Sequence, residues 1–211
     1  MPSTESVPLP RRMTVEEYLE FEENSEFKHE FWRGEIVSMA GARRNHNTLG
    51  SQISRVFNNR LDDTTCQATN SDLRVAINAN EDYAYPDVVV WCEDAQWLEN
   101  AFDTLLTPLI IVEILSESTQ SKDRIEKLEA YRNLPSVLDY LLVSPERVAI
   151  EHYASTDQPN AWLNRRYTHR DEVIRFAALN LEIEVAEFYR RLETVPEGVL
   201  PLTDDGEVIE R

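Results

Sequence analysis

Residues 86–92, PDVVVWC, and residues 109–115, LIIVEIL, decide the fold of this 211-residue chain. Both are short, rich in branched side chains and almost wholly apolar, the composition of strands buried on both faces. Each also carries one carboxylate, Asp87 in the first and Glu113 in the second. An ionised carboxylate inside such a strand is costly unless it is paired, lies at a strand end or meets a cation. These two segments therefore predict a buried sheet and, within it, a place where charge has a purpose.

Upstream, Thr14 and Glu17 have the spacing of a capping box and open a short acidic helix, TVEEYLEFEE. FKHEFWRGEIVSM alternates about an Arg33-Gly34 turn and predicts a β-hairpin with Phe27, His29 and Phe31 on one face and Glu30 on the other. Leu49, Ile53, Val56, Phe57 and Leu61 recur at helical spacing and predict an amphipathic helix from His46 to Leu61. Residues 66–77 read as a further strand. Residues 121–132 suit a helix that Pro135 ends. VLDYLLV, RVAIEHY, WLNRRY and EVIRF read as successive strands, and LEIEVAEFYRRL ends in a short helix. Strands and helices mixed about buried apolar strands indicate an α/β or α+β domain with a mixed sheet. We place it at residues 14–193, after a flexible lead-in (1–13) and before an acidic tail (194–211).

Composition narrows the function. With 42% hydrophobic residues and a length that can bury about 70% of the unfolded surface, the chain is not a disordered acidic protein. The five glycines have no dinucleotide-binding or P-loop spacing. Cys66 and Cys92 are too few for a disulfide framework and make no zinc pattern with the four histidines, which points to a reducing cytoplasm. No apolar run is long enough for a membrane span. The net charge of −18 argues against a polyanionic partner if spread evenly. It is not spread evenly: residues 1–26 hold seven acids against two bases, and residues 193–211 six against one. Arg43, Arg44, Arg55 and Arg60 follow one another with no acid between them, as do Arg165, Arg166 and Arg170. Gathered near a site, either group could meet phosphate; otherwise each is a solvated face.

Asp87 and Glu113, set on adjacent strands, could hold a hard divalent cation, which takes oxygen ligands and keeps waters. The structural alternative has Asp87 capping a turn and Glu113 paired with an arginine such as Arg74. Asp123, Lys127 and Tyr131 are spaced by four and share a helix face just beyond Glu113. There Lys127 could orient a water or stabilise charge on a phosphate; its alternative is an exposed ion pair with Asp123.

From Thr14 to about Tyr189 the chain resembles the Uma-type restriction endonucleases, a branch of the PD-(D/E)XK nuclease superfamily. The resemblance lies in MTVEEYLEF, in HEFWRGEIVSMAG with His46 and Asn47 following, and in YPDVVV, VEILSEST, DRIEKLEAY and LPSVLDYLLVSPERVAIEHY. It implies a restriction-endonuclease-like fold, a mixed β-sheet flanked by helices, and Mg²⁺-dependent hydrolysis of phosphodiesters in DNA, with Mn²⁺ as a possible substitute. Asp87 matches the PD aspartate and Glu113 the acid of the second half-motif, both as metal ligands. Leu115 stands where the usual lysine of that half-motif would be, and Lys127 matches its displaced counterpart. Glu30 matches the acid before the glycine turn, as a further ligand or an orienting group; its alternative is a pair with Lys28 or Arg33. His46 is a candidate, against a cap or packing role, and Ser116, Ser118 and Thr119 form a polar connection that could meet a phosphate. The resemblance also implies a homodimer, while the chain's acidity predicts that DNA binding is weak, salt-sensitive and metal-dependent. Two other readings stand beside it: a nuclease fold kept as a binding or assembly module without catalysis, and a glycoside hydrolase using the same two carboxylates.

Overall fold

Capping and turn chemistry fix the N-terminal third. In the computed structural model, which describes residues 12–197 except 40, 42, 79–80, 100–103, 117–121, 159 and 193, the Thr14 hydroxyl accepts the Glu17 N–H while the Glu17 carboxylate accepts the Thr14 N–H at 2.8 Å. Helix α1 (Val15–Glu23) follows. The hairpin of β1 (His29–Trp32) and β2 (Glu35–Ser38) turns at Arg33 and Gly34, with φ of +50° and +84°. Two positive φ values match the right-handed twist of the flanking strands. The strained Arg33 is held by its N–H, which donates to Asp82 Oδ1 at 2.6 Å. Phe31 stacks on Tyr18 of α1, so Glu30 points to the opposite side of the hairpin.

Helix α2 (Arg44–Leu61) lies against a six-stranded sheet ordered β11-β10-β9-β8-β6-β3. Its strands are β3 (Cys66–Asn70), β6 (Val88–Cys92), β8 (Ile110–Ile114), β9 (Asp139–Val143), β10 (Ile150–Ser155) and β11 (Trp162–Tyr167). Only β8 and β9 pair in parallel; the other neighbours are antiparallel. A five-stranded sheet, β2-β1-β5-β4-β7, uses the hairpin with β4 (Arg74–Ile77), β5 (Asp82–Ala84) and β7 (Thr104–Leu105). β12 (Val173–Phe176) and β13 (Leu181–Glu184) form a separate hairpin that leads into helix α4 (Val185–Phe188).

The larger sheet is buried on both faces, as its composition requires. Val88, Val90, Ile110, Val112 and Ile114 pack with Leu49, Ile53 and Phe57 of α2 on one side. Val89, Ile111, Tyr140 and Leu142 pack on the other with Val75 and Ile77 of the second sheet and with Tyr131. β8 thus alternates cleanly, and Glu113 occupies a position on the second face where an apolar residue would continue the core.

Several expectations are corrected. Residues 66–77 are two strands in different sheets, because Asn70-Ser71-Asp72 turns the chain: Asn70 Oδ1 accepts the Asp72 N–H at 3.3 Å, and Lys28 anchors the turn through Ser71 O and Asp72, each at 2.7 Å. β5 and β7 were not foreseen; both are too short to show a period. Cys66 and Cys92 are joined in a disulfide, since the β3–β6 register sets them opposite each other. The predicted helix over 121–132 is a π-helical turn, Asp123–Lys127, running into helix α3 (Leu128–Arg132). Past Thr194 the chain remains attached: Val195 is buried and Val148 donates to Pro196 O at 2.8 Å. Among the described residues no helix is long and apolar enough to cross a membrane.

The edge strand β3 has a side-chain neighbour in place of a seventh strand. Asn58 of α2 donates to Ala68 O and accepts from Ala68 N–H, both at 2.9 Å. Replacing Asn58 with Ala removes both partners from partly buried backbone groups, and urea denaturation should register a loss of about 1–3 kcal/mol.

Candidate active site

Asp87 is the residue before β6, whose ladder with β8 ends at Val88↔Val112. One further step in that register sets Asp87 opposite Glu113. The Asp87 carboxylate is held at both oxygens: Oδ2 accepts the Ile114 N–H at 2.7 Å, and Oδ1 lies 2.8 Å from His46 Nε2. The turn-cap alternative for Asp87 is not what the fold uses, because its partners lie on β8 and α2. The Glu113 side chain, 5% exposed, receives Lys127 Nζ at 2.9 Å and the Tyr131 hydroxyl at 3.2 Å, both on Oε1. Among the described residues no donor reaches Oε2. Arg74, the sequence alternative for pairing Glu113, instead donates to Thr104 at 2.8 Å and lies beside the rings of Tyr18 and Tyr83.

Lys127 is not on an exposed face. Its ammonium is 2.7 Å from Glu30 Oε1, 2.9 Å from Glu113 Oε1 and 3.4 Å from Asp123 Oδ1, with the side chain 5% exposed. Glu30 pairs with neither Lys28 nor Arg33. Its second oxygen, Oε2, takes Lys122 Nζ and Trp32 Nε1, each at 3.1 Å, and Lys122 also lies 4.6 Å above the Trp32 ring. The π-turn explains how two lysines five residues apart grip one carboxylate. In an α-helix such residues diverge by about 140°; widening the turn to i→i+5 bonding brings them to one side. Lys122, Trp32 and Tyr131 are members of this cluster that the sequence did not single out as site residues. The four-residue spacing signals Tyr131, whereas Lys122 is invisible without the π-turn.

The cluster is electrostatically unbalanced. Burial raises the Glu113 carboxyl well above the usual carboxylate range; Lys127 opposes this, and the negative Asp123, Asp87 and Glu30 reinforce it. For Lys127 burial works against the charge, but Glu113, Glu30 and Asp123 outweigh it and hold the ammonium well above its ordinary value. Burial works against the Glu30 charge too, yet Lys127 and Lys122 bring it below its ordinary value. Lys127 is therefore a fixed cation that keeps its proton, suited to orienting a water and unsuited to accepting a proton from one. Burial and the neighbouring carboxylates make Glu113 easier to protonate than an ordinary glutamate, and a further cation beside it would oppose that.

No three His, Cys, Asp or Glu side chains among the described residues are arranged to enclose a metal ion. The donor chemistry of Asp87 and Glu113 nevertheless fits Mg²⁺, which is usually held by one or two carboxylates and retains several waters. Excess negative charge beside them and the undonated Glu113 Oε2 favour such an ion. Ser116 lies two residues past the end of β8, while Ser118 and Thr119 lie outside the described residues. Of the two arginine groups, Arg55, Arg60 and Arg170 take partners outside this cluster. Arg60 pairs with Glu187 at 2.5 Å, Arg55 bonds Gln52 at 3.0 Å, and Arg170 donates to Val195 O at 2.7 Å; Arg165 and Arg166 fall on opposite faces of β11.

Lys127→Met strands Glu30, Glu113 and Asp123 in a dry environment, and urea denaturation at neutral pH should show a loss of about 3–5 kcal/mol. Without the lysine the buried Glu113 carboxyl, already raised by burial, loses the charge that opposes that shift and titrates above its unfolded value. The variant's stability is then fully present below the unfolded carboxyl pKa and is lost as pH rises through the raised folded value, so its deficit should shrink on acidification.

Two uncharacterized proteins of Synechocystis sp. are similar to this chain. One is 36% identical over 187 residues, covering 89% of this chain and 96% of its own length. The other is 33% identical over 169 residues, covering 80% and 95%. A crystal structure from Anabaena variabilis of "a putative nuclease belonging to DUF820" aligns with a TM-score of 0.66 over 85% of this chain and 99% of that one, at 17% identity, and so shares the fold. Residues 15–200 match the family described as "Uma2: Putative restriction endonuclease", and the chain belongs to that family.

Proposed function

We propose that this protein is a metal-dependent endonuclease that hydrolyses phosphodiester bonds in DNA. The observation that carries this reading is the antiparallel register that sets Asp87 opposite Glu113 at the end of a buried sheet, with Lys127 fixed beside them. Family membership supports the nuclease class. Asp87 and Glu113 hold Mg²⁺, with Mn²⁺ able to substitute. Bound there, the ion would polarise the phosphate and lower the pKa of a coordinated water. Lys127 and Tyr131 fix Glu113 through Oε1. Lys127 keeps its charge close to the attacking water and orients it, and Glu30 holds Lys127 in place. The attacking water would release a proton to solvent as its oxygen bonds to phosphorus, one ester P–O bond would break, and the departing oxygen would take a proton from solvent. DNA binding is weak and metal-dependent, since the chain's acidity opposes it until the site's charge is offset. A homodimer would bring two such sites to the two strands; the nuclease reading favours the cytoplasm, while the Cys66–Cys92 disulfide removes the cysteine argument for it.

A second reading, a binding or assembly module without catalysis, is favoured by Leu115 in the usual lysine position and by the depth at which Lys127 is buried. Plasmid nicking separates the two. The purified protein should nick supercoiled DNA with Mg²⁺ or Mn²⁺ and lose this with EDTA, and Asp87→Ala or Glu113→Ala should each abolish it. Equal nicking by both variants would identify a contaminant and sink the proposal. Because Mg²⁺ must displace the proton that Glu113 holds above its ordinary pKa, Mg²⁺ affinity measured by calorimetry should rise with pH and level off once Glu113 is ionised.

A further inference from the structure

His46 lies in the first turn of α2, forty-one residues from Asp87 in sequence, yet its Nε2 is 2.8 Å from Asp87 Oδ1. Both side chains are 16% exposed, so the contact stands at the mouth of the site. A carboxylate can only accept, so this contact is a hydrogen bond when the imidazole proton is on Nε2 and is donated to Oδ1. The packing of α2 sets this distance. Gly50, one turn further on, faces β8 so closely that a Cβ there would come within 3.2 Å of Ile114 Cδ1. Ile114 is also the residue whose N–H fixes the other Asp87 oxygen. The same stretch of β8 thus locates the helix that carries His46 and one of the two anchors of Asp87.

We infer that His46 is a positioning residue that fixes the Asp87 carboxylate for a divalent cation shared with Glu113. The inference rests on the metal-site reading proposed above. A carboxylate at a strand end, held at one oxygen only, rotates about its last bond and presents either lone pair of the other. With Ile114 N–H on Oδ2 and His46 Nε2–H on Oδ1, that rotation is stopped and each oxygen keeps one free acceptor direction. The alternative roles for a lone histidine do not suit it. His46 bonds a side chain on another element rather than a backbone N–H of its own helix, so it is not a cap. Burial at 16% exposure is also incomplete for a core residue.

Calorimetric titration of Mg²⁺ and Mn²⁺ into wild type, His46→Ala and His46→Gln tests this. Loss of a hydrogen-bond partner to a metal ligand typically weakens metal affinity by about 10–100-fold. His46→Ala should show that loss with its circular dichroism unchanged, and His46→Gln, which restores a donor at a similar reach, should recover most of it. A purely structural role would move the melting temperature and leave the metal Kd alone. Equal Kd values in wild type and His46→Ala overturn the inference, as does equal weakening in the Ala and Gln variants. A wild type that binds neither ion overturns the metal-site reading itself, a distinct result. Should His46→Ala fail to fold, ¹⁵N NMR of the wild-type imidazole decides: a neutral ring protonated on Nδ1 rules the inference out, and one protonated on Nε2 supports it.

Discussion

A single buried ammonium joins the two sheets at the candidate active site. Lys127 meets Glu30 from the five-stranded sheet, Glu113 from the six-stranded sheet and Asp123 from its own turn. Burying any one of these ions costs several kcal/mol, and the cost is offset only when the partners are close and numerous. The arrangement meets that condition for Lys127 and leaves a surplus of negative charge around it. The hairpin, β8 and the π-turn must therefore stay in register with one another, or a charge is left unpaired. The apolar layer behind, with Ile111, Tyr131, Tyr140 and Leu142, supplies the rigidity this requires and the low dielectric that strengthens each contact.

The π-turn is the local device that makes the arrangement possible. An α-helix through residues 122–127 could direct Lys122 or Lys127 at Glu30, but not both. The wider turn directs both, and α-helical geometry resumes at Leu128 in time to bring Tyr131 back to Glu113. Such turns are uncommon and are often found at functional sites. Here the distortion is explained by three ion pairs and one hydrogen bond to carboxylates on separate sheets.

Much of this was legible in the sequence, for identifiable reasons. Capping-box spacing marked α1, and the alternation around Arg33-Gly34 marked the hairpin. The apolar runs marked β6 and β8 because a strand buried on both faces has no other use for such composition. Asp87 and Glu113 drew attention as charges in those runs, and the fold sets them in opposing register. Other features depend on partners distant in sequence and left no periodic trace. Nothing near Lys122 reveals that it shares Glu30 with Lys127, and nothing near His46 points to Asp87. The cysteine pair follows only from the β3–β6 register, which the misreading of residues 66–77 as one strand concealed. The arginine groups could be read as phosphate contacts or as solvated faces because sequence proximity hides direction: Arg60 and Arg170 bond the C-terminal segment, and Arg165 and Arg166 diverge.

The amide of Asn58 bears on how this molecule can associate. It presents to Ala68 the same donor and acceptor that a neighbouring strand would present, so β3 has no outward pair there with which to recruit a strand from another chain. At the far edge of the same sheet, β11 exposes Arg165 and Arg166, and like charges disfavour edge-to-edge approach of two copies. Both borders of the larger sheet are thus guarded against polymerisation by β-addition, one by mimicry and one by repulsion. Assembly through other surfaces is thereby favoured over pairing at these two edges.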